Sequence, residues 1–196
     1  MYYFTSDLHF GSHRTLEREN RPFNSNEEFY NFIIHDFCKC NSEDIIYIVG
    51  DYVNYSDKNK IDMNTLVEMF ELLKPVKAEI RLIIGNNEER IIRDLFDDDI
   101  NAFIKFCENY NVKAMVDDYI TFGGYEFYIN HYPRKHKNEY INLFGHVHRA
   151  TGLWKPYGLN IGCDMNFYRL FSEKDILLLL KKKAKYWDND LDVLDL

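Results

Sequence analysis

Ile45-Ile46-Tyr47-Ile48-Val49-Gly50-Asp51 is five apolar residues stopped by a glycine and a carboxylate. It reads as a buried strand that ends at a polar site. The same pattern recurs on both sides of it. Tyr2-Tyr3-Phe4 leads through Thr5-Ser6 to Asp7-Leu8-His9. Residues 80–84 stop at Gly85-Asn86-Asn87-Glu88, and residues 141–144 stop at Gly145-His146-Val147-His148.

Helical periodicity fills the gaps in the first half. Residues 26–39 carry Phe29, Phe32, Ile33 and Phe37 at helical spacing, after an Asn24-Ser25-Asn26 start with Glu27 and Glu28 in the first turn. Residues 63–73 repeat the pattern with Leu66, Val67, Phe70 and Leu73, closed by Pro75. Residues 88–109 read as one or two helices, with a break near Asp97-Asp98-Asp99. From Val112 the period shifts towards strands: 112–116, 119–122, a Gly123-Gly124 hairpin into 126–130, and 159–161. Ser172 opens a last helix to about residue 183, and 188–196 alternates acidic and apolar residues. A helix-rich first half and a strand-rich second half suit two packed sheets flanked by helices. The expected class is α/β, or α+β by some schemes. The expected organisation is one domain over 1–196 with an acidic tail from about 186.

Composition narrows the function. A chain of 196 residues buries roughly 70% of its unfolded surface, so it needs no staples. The 24 Lys and Arg against 32 Asp and Glu leave −8, which argues against an extended nucleic-acid surface. Cys38, Cys40, Cys107 and Cys163 are too sparse for a disulfide framework, and a structural role is expected for the Cys38-Lys39-Cys40 pair. No apolar stretch approaches the length of a membrane span and nothing resembles a signal peptide, so a cytoplasmic location without membrane contact is expected.

Asp7, His9, Asp51, Asn86, His131, His146 and His148 are carboxylate, amide and imidazole donors suited to divalent ions. Six of the seven stand at or just past the ends of apolar runs, where ligand sites gather in α/β sheets. Asp7 and His9 are two residues apart, as are His146 and His148. An extended backbone would point each pair in one direction. Two divalent cations side by side are a standard means of attacking phosphate esters.

These motifs resemble the calcineurin-like metallophosphoesterase superfamily: Asp-x-His, Gly-Asp, Gly-Asn-x-Glu, a lone His and Gly-His-x-His. The likeness runs from Asp7 to His148. Asp7-Leu8-His9-Phe10-Gly11, Arg21-Pro22-Phe23, His131-Tyr132-Pro133 and 162–169 are similar to a small bacterial and phage subgroup. The resemblance implies a four-layer sandwich of two mixed sheets flanked by helices. It implies two divalent ions, manganese first, with iron, zinc or nickel as alternatives. Asp7, His9 and His148 would hold one ion and Asn86, His131 and His146 the other, with Asp51 bridging. A hydroxide between the ions would then attack phosphorus.

Asn87 departs from the family pattern, which usually has His there to protonate the leaving oxygen. An amide has no such proton to give, so a phosphodiester is the expected substrate. The alternatives are a phosphomonoesterase or nucleotidase drawing its proton from His13 or Glu88, and a non-catalytic protein-binding scaffold. His13 is expected in the loop after His9. Arg21 and the basic run Arg134, Lys135, His136 and Lys137 are candidates for gripping phosphate. Loops 10–25, 52–62 and 132–140 would choose among a small phosphoester, a nucleotide or a nucleic-acid end. Self-association is left open.

Overall fold

The computed structural model describes residues 1–58, 60–150, 152–155 and 157–190. The chain runs β1 (Tyr2–Thr5), α1 (His13–Arg18), α2 (Asn26–Phe37), β2 (Ile45–Ile48), α3 (Met63–Glu71), β3 (Glu79–Ile83), α4 (Asn86–Leu95) and α5 (Ile100–Glu108). It continues with β4 (Val112–Met115), β5 (Asp118–Phe122), β6 (Tyr125–Ile129), β7 (Ile141–Phe144), β8 (Trp154–Lys155), β9 (Gly158–Asn160), β10 (Phe171–Ser172) and α6 (Glu173–Asp190).

Two five-stranded mixed sheets result, in the orders β10-β1-β2-β3-β4 and β5-β6-β7-β9-β8. In the first, β1 to β4 are parallel and β10 is antiparallel to β1. In the second, β6, β7 and β9 are parallel, flanked by antiparallel β5 and β8. The alternation of side chains along each strand builds two cores. Ile46 and Ile48 of β2 point to the helices and join Phe29, Ile33, Leu66, Phe70 and Phe103. Tyr47 and Val49 point to the other sheet and join Phe4, Ile83, Phe127, Leu143 and Ile161. Ile176 of α6 closes that second core. This is the expected α/β sandwich of two mixed sheets with helices.

The helices start where their capping residues stand. Ser25 accepts from the Glu28 amide at 3.1 Å, Asp62 from Thr65 at 2.8 Å and Asp99 from Asn101 at 2.8 Å. Each cap contributes about 1 kcal/mol. The long helical segment is broken where expected, because Asp97 and Asp98 turn to φ +51° and +61°. Gly123 and Gly124, at +57° and +81°, make the β5–β6 hairpin. Four elements differ from the sequence reading. Residues 13–18 form helix α1, where a loop was expected; it is a single capped turn and a half with Leu16 as its buried anchor. The short strands β8 and β10 carry no periodic signal in two residues each. Helix α6 runs on to Asp190, into the expected acidic tail, and 191–196 lie outside the described residues. No helix among the described residues is long and apolar enough to cross a membrane.

The loops after the strands stay in register. Asp7 N–H donates to Gly50 O at 3.1 Å, His9 N–H to Asp51 O at 2.9 Å and Cys163 N–H to Ser6 O at 2.9 Å. The strand ends of both sheets thus meet on one edge of the sandwich.

Candidate metal centre

Each of the seven expected donors lies at that edge. Asp7 and His9 follow β1, Asp51 follows β2, and Asn86 opens α4 just after β3. His131 follows β6, and His146 and His148 follow β7. The local backbone is not extended. Asp7, His9, Asp51, His146 and His148 have φ of +58°, +52°, +54°, +73° and +44°. The left-handed region costs such residues about 1–2 kcal/mol each, and strain of this kind gathers at functional sites. It corrects the expectation of paired directions. Asp7 and His9 still converge, with Oδ1 and Nε2 3.9 Å apart. His146 and His148 diverge: His148 turns to His9 and Asp7, and His146 turns to Asn86.

The donors form two groups. His9 Nε2 and His148 Nε2 are 3.2 Å apart, their rings stacked within 14°. On the other side Asn86 Oδ1 is 3.2 Å from His131 Nε2 and 2.8 Å from His146 Nδ1. Asp51 faces both groups, with Oδ2 3.6 Å from His9 Nε2 and Oδ1 3.5 Å from His131 Nε2. Asp7 lies within reach of donors in each. Cys38 and Cys40 belong to no such group among the described residues.

The hydrogen bonds behind the rings suit cation binding. His131 Nδ1–H donates to Val49 O at 2.8 Å, and His148 Nδ1–H donates to Asp164 Oδ2 at 3.2 Å. Both rings are thereby held with the Nε2 lone pair facing the site, the tautomer a metal ligand requires. Burial, reinforced by His148, holds His9 well below the ordinary histidine range. Burial and the Asp7 carboxylate push Asp51 up, the signature of crowded negative charge awaiting a counter-charge. Burial works against charge on His148, but the Asp164 bond and the Asp7 and Glu19 carboxylates outweigh it and raise its pKa. Four imidazoles, an amide oxygen and two carboxylates converging within a few ångströms are a donor set that fits divalent metal.

Gly145 lets the sheets meet here. A methyl group on it would overlap the Ser6 hydroxyl and the Asp7 carboxylate. The His146 amide instead donates to both Asp7 oxygens, at 3.0 and 2.9 Å.

Four sequence expectations are corrected. Arg21 does not face the cavity. Its side chain is fully buried behind the site, with Nε and Nη2 on Asp164 at 3.0 and 3.1 Å, Nη1 on Leu8 O at 2.8 Å and Nη2 also on Asp7 O at 2.7 Å. It clamps the Asp7–His9 loop to the carboxylate that orients His148. Glu88 is equally enclosed: its oxygens accept from the Asp51, Tyr52 and Gly85 amides at 2.8, 2.9 and 2.9 Å. Burial and the Asp51 charge push it up to about 7, yet it sits behind the loops it ties and has no path to a leaving group. The basic run 134–137 borders the site but does not line the cavity: Arg134 and Lys135 lie over the Tyr132 ring, which contacts His131 and His146, and Lys137 lies over Tyr119 and Tyr128. His13 is not in a loop but opens α1, and its side chain lies outside the described residues.

Asn87 does touch the cavity but is 4% exposed. Its Oδ1 accepts from the Tyr55 amide at 3.0 Å and its Nδ2 rests 3.2 Å from His9 Nδ1. It positions His9 and offers no acid. The sequence reading also missed Asp164, whose role rests on contacts 143 residues away. It missed Arg90 too, although Arg90 stands one helical turn after Asn86.

In fold, the chain is similar to a protein of unknown function from Aquifex aeolicus, with 22% identity over 91% of this chain and 98% of that one and a TM-score of 0.61. An archaeal phosphodiesterase gives 14% identity, 89% and 94% coverage and 0.45. The Escherichia coli phosphoesterase YfcE gives 15%, 82% and 77%, and 0.44. No curated protein matches the sequence. The model of the calcineurin-like phosphoesterases matches residues 2–193, and with that span and this cluster of Asp and His donors the chain belongs to that family of metal-dependent phosphoester hydrolases.

Proposed function

We propose that the protein is a phosphodiesterase, a single catalytic domain working with two divalent ions, manganese first. Asp7, His9 and His148 would hold one ion, Asn86, His131 and His146 the other, and Asp51 both. Such a pair, when bound, lowers the pKa of a water and offsets charge on the phosphate oxygens. The observation that carries the reading is Asp51, whose two oxygens face separate donor groups at 3.6 and 3.5 Å.

The residues around it set the preference. Asp164 holds His148 in one tautomer, and Val49 O does the same for His131. The left-handed backbone at His146 turns its ring to Asn86 at the open side of the site. Apart from these donors, Glu19 is the one acid on the described cavity wall, and it is bound to Arg18 at 2.7 Å. Asn87 is committed to Tyr55 and His9. A general acid contributes about 10²–10⁴-fold, most of it for basic leaving groups. With none among the described side chains, a diester with a good leaving group is favoured over an alkyl monoester.

The test is manganese-supported hydrolysis of an aryl diester and an alkyl monoester by the wild type and Asn87→His. The wild type should prefer the diester, and the variant should gain on the monoester relative to the diester. A wild type that prefers the monoester, or a variant with an unchanged ratio, contradicts the reading.

A further inference from the structure

A cavity of about 950 Å³ opens onto the candidate ligands His9, Asp51, Asn86, His146 and His148. Arg14, Arg18, Lys58 and Arg90 stand on its wall, against Glu19 and Asp51 as its carboxylates. Arg18 is neutralised by Glu19. Arg14, Lys58 and Arg90 have no ion-pair partner among the described residues. Three cations without an ion pair among the described residues therefore share one cavity in a chain of net charge −8.

Their placement is local to the chemistry. Arg90 follows Asn86 by one turn of α4, so the two side chains share a helix face. Arg14 stands on α1, one turn before the Glu19-paired Arg18. The rest of the wall is short and polar, with Ser12, Thr15, Asn26, Asn54 and Ser56. No Phe, Tyr or Trp lines it among the described residues. A site that reads nucleobases offers aromatic faces for stacking. This wall offers charge and small hydrogen-bonding groups, which recognise phosphate.

We infer that Arg14, Lys58 and Arg90 form a subsite for a second phosphate. The substrate is then a phosphodiester that carries at least one further phosphate group, chosen by that charge and not by its base. This deepens the phosphodiesterase reading and rests on it for where the scissile phosphate lies.

The test has a binding arm and a turnover arm. Calorimetry of the manganese-loaded protein compares thymidine 3′,5′-bisphosphate with thymidine 5′-phosphate, at low and high salt. The bisphosphate should bind about tenfold tighter at low salt, and the gap should narrow as salt screens it. It should also narrow in Arg14→Gln and in Arg90→Gln, both surface changes that leave the cores untouched. Adenosine bisphosphate should bind within about twofold of the thymidine compound, since no ring stacks the base. Turnover compares kcat/KM for the p-nitrophenyl esters of the same two nucleotides, and their ratio should follow the binding gap. Equal affinity for the two nucleotides, or a gap that survives both substitutions, overturns the subsite. A base preference larger than the phosphate preference overturns it as well. A bisphosphate preference that depends on Arg14 and Arg90, with neither ester hydrolysed, upholds the subsite and defeats the catalytic reading instead.

Discussion

Asp7, His9 and His148 are locked from behind, whereas Asn86 and His146 stand at the open side of the site in front of a buried His131. Behind the first group lies a buried Arg21–Asp164 pair, both side chains fully enclosed, which fixes His148 and the backbone of Asp7 and Leu8 together. Behind the second group, His131 is held by one backbone carbonyl and His146 is exposed, its ring in contact with Asn86, His131 and Tyr132. A preorganised donor group holds a cation with little rearrangement, while a looser one must order its ligands on binding. The two cations should therefore bind unequally, the first tightly and the second with exchange.

Asp51 joins the halves, so its loss should be felt most. Asp51→Asn should lower diester turnover by about a thousandfold or more, because the one carboxylate charge shared by both ions is lost. Metal content by mass spectrometry should fall below two per chain. Retention of two ions with ordinary turnover would remove Asp51 from its shared position.

Next in size is the brace. Arg21→Met leaves Asp164 buried without its partner, which should cost about 3–5 kcal/mol in chemical denaturation. It should also weaken the tighter cation by about 10–100-fold. The double variant Arg21→Met with Asp164→Leu should regain much of the stability but not the affinity, since His148 stays unoriented. Recovery of both would mean that the brace serves the fold alone. On the open side, His146→Ala should weaken the second cation by about tenfold or more and leave the first in place. Two cations lost together would contradict the unequal halves.

The smallest effect is on pH. Asp51, pushed up to about 7 by burial and Asp7, must lose its proton before it can bind metal. His148, raised by Asp164, must lose one too. Manganese affinity should therefore rise as pH rises, by about tenfold or more per unit below roughly 7, and level off above it. His9 is already neutral there and adds nothing to the slope. A flat affinity across that window would mean that Asp51 is ionised throughout.

The contrast between the halves also marks what the sequence discloses. Each donor was legible because a parallel strand must end, and a polar residue after an apolar run shows where. The helices were legible for a similar reason, since Ser25, Asp62 and Asp99 stand where their caps are needed. The directions of the donors were not. Whether Asp7 or His148 takes a left-handed φ depends on neighbours from the other sheet, such as the His146 amide on Asp7. Arg21 was misplaced for the same reason. A charged residue after a site motif reads as substrate-facing, and its burial comes from Asp164, far along the chain. Glu88 looked like an acid beside the ligands, and only its three amide donors show that it ties the loops. The run 134–137 was read as a grip because its charges are contiguous. The cavity takes its cations singly from α1, the 52–58 loop and α4.

The shared cradle is tested most directly by anomalous diffraction from manganese-soaked crystals. Two peaks about 3.5–4 Å apart, one beside His9 and His148 and one beside Asn86 and His131, with Asp51 between them, are the predicted result. A single peak that leaves Asp51 on one side, or no peak at full soaking, would contradict it.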